Sequence, residues 1–117
     1  MGSKLMLKIL HNPKCSKSRA TLEILKSKGL NPEVVKYLEY PLNEKELNEV
    51  VEKLSLKARD IVRVKEDEFK KLEIDLDDDK AVIAAIAAHP RIMERPIVVT
   101  DTAAKIGRPP EQVLEIL

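Results

Sequence analysis

The stretch LHNPKCSKSRAT, residues 10–21, contains the single cysteine of this 117-residue chain. Cys15 follows a short apolar run, and its sequence neighbours are basic and hydroxyl residues rather than the apolar residues that surround a buried structural thiol. Where a strand ends in a tight loop and a helix follows, backbone N–H groups and the positive end of the helix dipole face the loop. A thiol in such a loop has a lowered pKa and reacts as a thiolate, so we predict that Cys15 is a nucleophile.

The same loop is suited to binding an anion. Its positive charges come from Lys14, Lys17 and Arg19, and its hydroxyl groups come from Ser16 and Ser18. Backbone N–H groups at the start of a helix add further donors for an oxyanion. We therefore predict that Ser16, Ser18 and Arg19 contribute to an anion site beside the thiol. A buried structural cysteine is the alternative interpretation at this point.

Two familiar cysteine motifs do not fit this loop. A phosphatase-type loop of the form Cys-x5-Arg requires an arginine where the chain has Thr21, and a CxxC redox pair requires a cysteine where it has Ser18. Any redox cycle at Cys15 therefore needs a thiol from another molecule. Two histidines and one cysteine, without ligand spacing, predict no metal site.

The residues around the loop predict a β-α-β unit with parallel strands. Leu5 to Leu10 is a short apolar run typical of a buried strand. Ser16 to Lys28 contains good helix formers, and Gly29 then ends the helix. Val34 to Leu38 predicts the second strand. This order places Cys15 where the first strand ends and the helix begins.

The middle of the chain, about residues 43–90, is predicted to be a helical insertion. Asn43 with Glu46 three residues later is a capping-box pattern at the start of a helix. Val82, Ile83 and Ile86 mark the buried face of a later helix.

The remaining residues predict a hairpin and a last helix. Ile97 to Thr100 and Ala104 to Ile106 are the strand candidates, and Pro109-Pro110 begins the helix. Three apolar residues of this helix are expected to face the interior: Val113, Leu114 and Leu117. The order β-α-β, helical insertion, β-β-α predicts an α/β fold of thioredoxin-like type with a mixed sheet, formed by a single domain over residues 1–117.

Composition argues against several classes of function. The 21 basic residues balance 20 acidic ones, whereas a nucleic-acid-binding protein normally has a basic excess. No apolar run approaches the roughly 20 residues that cross a bilayer, and no signal-peptide pattern is found. A lone thiol cannot form an internal disulfide. We therefore expect a cytoplasmic monomer without membrane or nucleic-acid partners.

Three further arginines are candidate site residues if the fold places them near Cys15: Arg63, Arg95 and Arg108. The alternative interpretation is that each is a solvated surface charge. Arg63 lies in LKARDIVRVKED, Arg95 in HPRIMERPIVVT and Arg108 in GRPPEQVLEIL. Four segments carry a family pattern: HNPKCSKSRATLEIL, YLEYPL, HPRIMERPIVVT and GRPPEQVLEIL. Together these segments resemble the glutaredoxin-linked arsenate reductases, a family of thioredoxin-like fold. The resemblance extends from about residue 7 to the end of the chain.

The resemblance implies roles for individual residues. It makes Cys15 the nucleophile. The arginines that it assigns to the oxyanion and to transition-state charge are Arg63, Arg95 and Arg108. His11 matches a histidine of the anion site near the active thiol, where it either helps to form the thiolate or anchors the loop through hydrogen bonds. The resemblance also implies that the Arg95–Pro96 bond is cis and that Pro96 faces the thiol.

The implied reaction is the reduction of arsenate to arsenite through a covalent Cys15–arsenic adduct. The Cys15 thiolate attacks As(V), glutathione joins as co-substrate, and a glutaredoxin resolves the mixed species, with no bound cofactor. Guanidinium groups can hold the arsenate oxygens in pairs of hydrogen bonds while one face stays open to attack. The cysteine count excludes arsenate reductases that relay a disulfide along their own cysteines.

Two other functions remain open at this stage. A glutathione-linked thiol–disulfide oxidoreductase would use Cys15 without requiring the three arginines together. A non-enzymatic regulatory relative would bind a protein partner such as RNA polymerase. That branch of the fold usually carries CxxC, which Ser18 interrupts here.

Overall fold

The computed structural model describes residues 6–117 and contains a four-stranded mixed sheet. Its strands are β1 (Leu7–Leu10), β2 (Glu33–Val35), β3 (Ile97–Thr100) and β4 (Ala104–Ile106), in the spatial order β2-β1-β3-β4. β1 is parallel to β2 and antiparallel to β3, and β4 is antiparallel to β3. This connectivity confirms the predicted α/β fold with a mixed sheet. The first residue of the predicted strand, Leu5, lies outside the described residues.

Helix α1 (Ser16–Ser27) connects the two parallel strands. It ends one residue before the predicted limit, and Gly29 then adopts a φ of 76°, which residues with a side chain rarely adopt. Leu25 of this helix is fully buried with Ile9 of β1 and Val98 of β3. The apolar character of β1 and β3 therefore reflects the helix packed on their face of the sheet.

The chain divides into two compact units. One unit comprises the residues up to Lys36 together with Arg95–Leu117, and it contains the sheet and α1. The other unit is Tyr37–Glu94, and the predicted helical insertion of residues 43–90 lies in it.

The second unit consists of helical elements: α2 (Glu44–Leu54), α3 (Asp67–Lys70), α4 (Asp79–Ala88) and 3-10 turns at Ala58–Ile61 and Pro90–Ile92. Asn43 caps α2 as predicted, because its Oδ1 accepts from the Glu46 N–H at 2.8 Å while Glu46 Oε1 accepts from the Asn43 N–H at 3.0 Å. The predicted inward face of α4, Val82, Ile83 and Ile86, is buried. Among the helices of residues 6–117, none has the length and apolar character of a membrane span.

The second strand is shorter than predicted. β2 covers Glu33–Val35 rather than Val34–Leu38. It is an edge strand with one neighbour, and Val34 is 41% exposed. Tyr37, within the predicted strand, is buried but lies beyond the end of β2 and belongs to the second unit.

The C-terminal segment forms a 3-10 helix, Pro110–Ile116, rather than the predicted α-helix. A 3-10 helix repeats every three residues, so Val113 and Ile116 share one face and pack against the core. Leu114 and Leu117, which were predicted to face the interior, are exposed for the same reason.

Candidate active site

The loop between β1 and α1 places Cys15 at the N-cap of α1. Asn12 shapes this loop, because its carbonyl accepts from the Cys15 N–H at 3.0 Å and its Oδ1 accepts from the Lys14 N–H at 3.0 Å. Arg19 adds a further restraint, since its Nη1 donates to the Pro13 carbonyl at 2.9 Å. Cys15 remains partly exposed, so the thiol is not sealed in the core.

The pKa of the Cys15 thiol reflects opposing influences. Burial of the sulfur raises the pKa, whereas the backbone N–H groups of Ser18 and Lys17, followed by the charges of Arg95 and Arg108, lower it. The lowering influences prevail, and the pKa lies below the ordinary value of a thiol. Cys15 is therefore biased toward the thiolate, which is the nucleophilic form.

The guanidinium of Arg108 faces the sulfur. Its Nη2 lies 3.8 Å from Cys15 Sγ, and its Nε donates to the Arg95 carbonyl at 2.8 Å. The second bond orients the planar group toward the thiol. The Arg95–Pro96 and Arg108–Pro109 bonds are both cis. The structure brings Arg108 to a cysteine 93 positions earlier in the chain, and the charge of Arg95 also acts on this thiol.

Ser18 in the first turn of α1 and His11 in the loop form a buried pair. Ser18 Oγ lies 2.6 Å from His11 Nδ1 and accepts a hydrogen bond from the Asn12 N–H at 3.0 Å. Ser18 is fully buried and His11 is 6% exposed. Of the two roles left open for His11, this geometry supports anchoring of the loop. The Ser18 hydroxyl also holds the loop, and it faces these two partners rather than an incoming anion.

The other predicted site residues lie in different settings. Ser16 and Arg19 are exposed in α1, close to Cys15 in the chain. Arg63 lies in the second unit, where its Nη2 pairs with Glu66 Oε2 at 3.1 Å and its Nη1 donates to the Arg91 carbonyl at 3.1 Å. The role of Arg63 at the thiol stays a prediction from the sequence.

Two buried residues beside this site, Thr21 and Gly107, are not among the predicted site residues. Thr21 is fully buried in α1, and its Oγ1 donates to the Lys17 carbonyl at 2.8 Å. Gly107 precedes Arg108, and its N–H donates to the Pro96 carbonyl at 2.9 Å. One signal points to Thr21: it lies one helical turn after Ser18 and therefore on the same face of α1. Nothing in the local sequence indicates its contact with Gly107.

Positive charge and N–H donors characterise this site. Among residues 6–117, no group of three or more His, Cys, Asp or Glu side chains is arranged to hold a metal ion. The guanidinium groups of Arg95 and Arg108 and the first turn of α1 can stabilise both a thiolate and an oxyanion that approaches it. The arrangement suits nucleophilic attack by sulfur on the central atom of an oxyanion.

Comparison with known proteins identifies relatives along nearly the whole chain. The model of the ArsC family matches residues 10–116. The chain is 50% identical over 116 residues to the uncharacterized protein YfgD of Escherichia coli K12, covering 95% of this chain and 96% of that protein. It is 48% identical over 115 residues to an arsenate reductase of Neisseria meningitidis serogroup B, covering 95% and 97%.

A solved structure agrees with the fold as well as the sequence. The arsenate reductase from Vibrio cholerae has a TM-score of 0.91 with this chain at 45% identity, covering 98% of this chain and 100% of the other. The thioredoxin-like fold expected from the sequence is thereby confirmed.

Proposed function

The chain belongs to the ArsC family, and we propose that it reduces arsenate to arsenite with Cys15 as the nucleophile. Relatives named arsenate reductases support this class of reaction. The observation that carries the proposal is the 3.8 Å distance between Arg108 Nη2 and Cys15 Sγ at the start of α1. A cation at this distance favours the thiolate, and its charge also attracts an anionic substrate.

Charge is the main obstacle to the reaction. Arsenate is an anion near neutral pH, so a thiolate that attacks it is repelled unless positive groups lie nearby. Arg95 and Arg108 supply guanidinium charge, and the first turn of α1 supplies N–H donors. Planar guanidinium groups hold tetrahedral oxyanions through paired hydrogen bonds. These groups are most effective when they also stabilise the charge that develops in the transition state.

The first step is attack of the Cys15 thiolate on As(V). A sulfur–arsenic bond forms, an arsenic–oxygen bond breaks, and the oxygen takes up protons and leaves as water. Reduction then requires two electrons, which two thiol groups supply by forming a disulfide. Overall, arsenate and two thiols give arsenite, one disulfide and one water, and Cys15 returns to its free form.

The reducing thiols come from other molecules. Cys15 is the only cysteine in the chain, so no second sulfur is available for an internal disulfide. Glutathione and a glutaredoxin supply the two thiols in this proposal, the first as co-substrate and the second to resolve the mixed species. A free, partly exposed thiol remains reduced in the cytoplasm, which is the compartment that we propose.

The test is an assay that couples NADPH oxidation to arsenate reduction through glutathione reductase, glutathione and glutaredoxin. We expect arsenate-dependent turnover by the wild-type protein and none by Cys15→Ser. Replacing glutaredoxin with a thioredoxin system identifies the reductant. Turnover that survives Cys15→Ser would reject the nucleophile. Reduction of a glutathione mixed disulfide without arsenate turnover would favour the thiol–disulfide oxidoreductase instead.

A further inference from the structure

Gly107 lies in a space that cannot hold a larger residue. A Cβ atom at this position would lie 2.5 Å from Thr21 Oγ1 and 2.9 Å from Pro96 Cγ. A Cβ atom essentially never lies within 3.0 Å of a non-bonded heavy atom, so a neighbour would have to move. Gly107 is not among the residues with positive φ, so the requirement for glycine comes from space rather than from backbone conformation.

This contact joins the two parts of the site that act on the sulfur. Thr21 belongs to α1, and its hydroxyl donates to the carbonyl of Lys17, whose own N–H is one of the groups that act on Cys15. On the other side, Gly107 precedes Arg108. With no side chain between them, the backbone at Gly107 lies directly against α1.

Two hydrogen bonds connect the contact between Gly107 and Thr21 to the arginines. The Gly107 N–H donates to the Pro96 carbonyl at 2.9 Å, and Arg108 Nε donates to the Arg95 carbonyl at 2.8 Å. Displacement of Gly107 would therefore move Arg108 and the Arg95–Pro96 segment together.

We propose that Gly107 and Thr21 are positioning residues whose close contact sets the distance between the arginines and the Cys15 sulfur. The inference rests on the proposed function only where arsenate turnover is measured. Reactivity of the thiol toward an alkylating agent reports on the same geometry without any arsenate. The two results can therefore fail separately.

The primary variant is Gly107→Ala. We expect slower alkylation of Cys15 by iodoacetamide at pH 7, with the pH profile of the rate displaced to higher pH, because the guanidinium charge moves away from the sulfur. We also expect kcat/KM for arsenate to fall by roughly 10²-fold, as for a displacement of about 1 Å in an active site.

Rescue by a second substitution separates positioning from general damage. Thr21→Ala removes Oγ1 and Cγ2, which lie 2.5 and 3.3 Å from the added Cβ. The double variant Gly107→Ala/Thr21→Ala is therefore expected to recover most of the alkylation rate lost by Gly107→Ala. Recovery is partial because the contact with Pro96 Cγ at 2.9 Å remains.

Gly29→Ala is the matched control. Gly29 has a φ of 76° and nothing within 4 Å of an added Cβ, so the substitution strains the backbone without crowding a neighbour. We expect lower stability in urea but an unchanged alkylation profile. If Gly107→Ala does not fold, Thr21→Val replaces the hydroxyl facing Gly107 with a larger methyl group, and the same shift of the profile is expected.

Two results would overturn the proposal. One is an alkylation profile for Gly107→Ala, or for Thr21→Val in its place, that matches the wild type. The other is a double variant that reacts no faster than Gly107→Ala. An altered profile in a protein that does not reduce arsenate would support the positioning role and reject the proposed function.

Discussion

The hydroxyl of Ser18 lies 2.6 Å from Nδ1 of His11, and both residues are buried. The same oxygen accepts a hydrogen bond from the Asn12 N–H at 3.0 Å. Because the Ser18 N–H also acts on Cys15, one residue connects the end of β1, the loop and the first turn of α1. The loop that carries Cys15 is thus held from inside by a pair of polar side chains.

Ser18→Ala should destabilise the protein. The substitution leaves His11 Nδ1 and the Asn12 N–H without this partner in a buried setting, at a cost of about 1–3 kcal/mol in the free energy of unfolding. Urea unfolding measures the loss. Ser16→Ala is the control, since Ser16 is exposed in the same turn and should change stability by less than about 0.5 kcal/mol. Equal effects of the two substitutions would contradict the proposed anchoring role.

His11 should make stability depend on pH. Burial, followed by the charges of Lys36, Lys26 and Arg19, lowers the pKa of His11. As the pH falls, His11 of the unfolded chain therefore binds a proton near pH 6.5, whereas His11 of the folded protein binds one only at lower pH. Stability attributable to His11 is present above that pH and is lost as the pH falls through the folded-state pKa.

The measurement is the urea midpoint of the wild type and of His11→Gln at pH 7.5 and at lower pH. We expect the difference between the two proteins to shrink as the pH falls, because glutamine does not titrate. Carboxylate titration affects both proteins alike and cancels in the comparison. A constant difference across the pH range would show that His11 has the same pKa in the folded and the unfolded states.

Arg108→Ala should impair both the thiol and turnover. Loss of the guanidinium 3.8 Å from the sulfur raises the pKa of Cys15, so alkylation at pH 7 slows. We expect kcat/KM for arsenate to fall by roughly 10²-fold, the usual cost of removing one donor that stabilises transition-state charge. Arg108→Lys keeps the charge but loses the planar guanidinium, so its kcat/KM should lie between the values of the wild type and Arg108→Ala.

Arg59→Ala is the control for the loss of an arginine. Arg59 is 45% exposed and pairs with the exposed Asp77, so its removal should leave alkylation and kcat/KM close to wild type. If Arg108→Ala behaves like Arg59→Ala in both measurements, Arg108 has no electrostatic role at the thiol.

Arg63→Ala tests the predicted site arginine whose role at the thiol comes from the family resemblance alone. If Arg63 binds the oxyanion, kcat/KM for arsenate should fall by roughly 10²-fold. Loss of its contacts with Glu66 and the Arg91 carbonyl also affects stability, so urea unfolding must accompany the assay. Activity equal to that of Arg59→Ala in a folded protein would remove Arg63 from the site.

Local patterns in the sequence were sufficient to place Cys15 at the start of α1. Three signals act over a few positions: the apolar run of β1, the helix-forming residues after Cys15 and the stop at Gly29. The described elements lie close to the bounds that these signals predict. The Asn43 capping box is local in the same sense, since both hydrogen bonds join residues three positions apart. Short-range hydrogen bonding and backbone sterics determine such features, so they can be predicted from neighbouring residues.

Tertiary structure decided how the distant parts meet. Arg108 reaches Cys15 across 93 positions, and Gly107 must be small because Thr21 of α1 occupies the space beside it. Ser18 has the sequence character of an anion-binding hydroxyl, yet in the folded protein its Oγ is buried within hydrogen-bond distance of His11 Nδ1. These relationships depend on which side chains pack together in the folded protein. Burial and van der Waals contact between segments that are separated in the chain leave no periodic signal in the sequence.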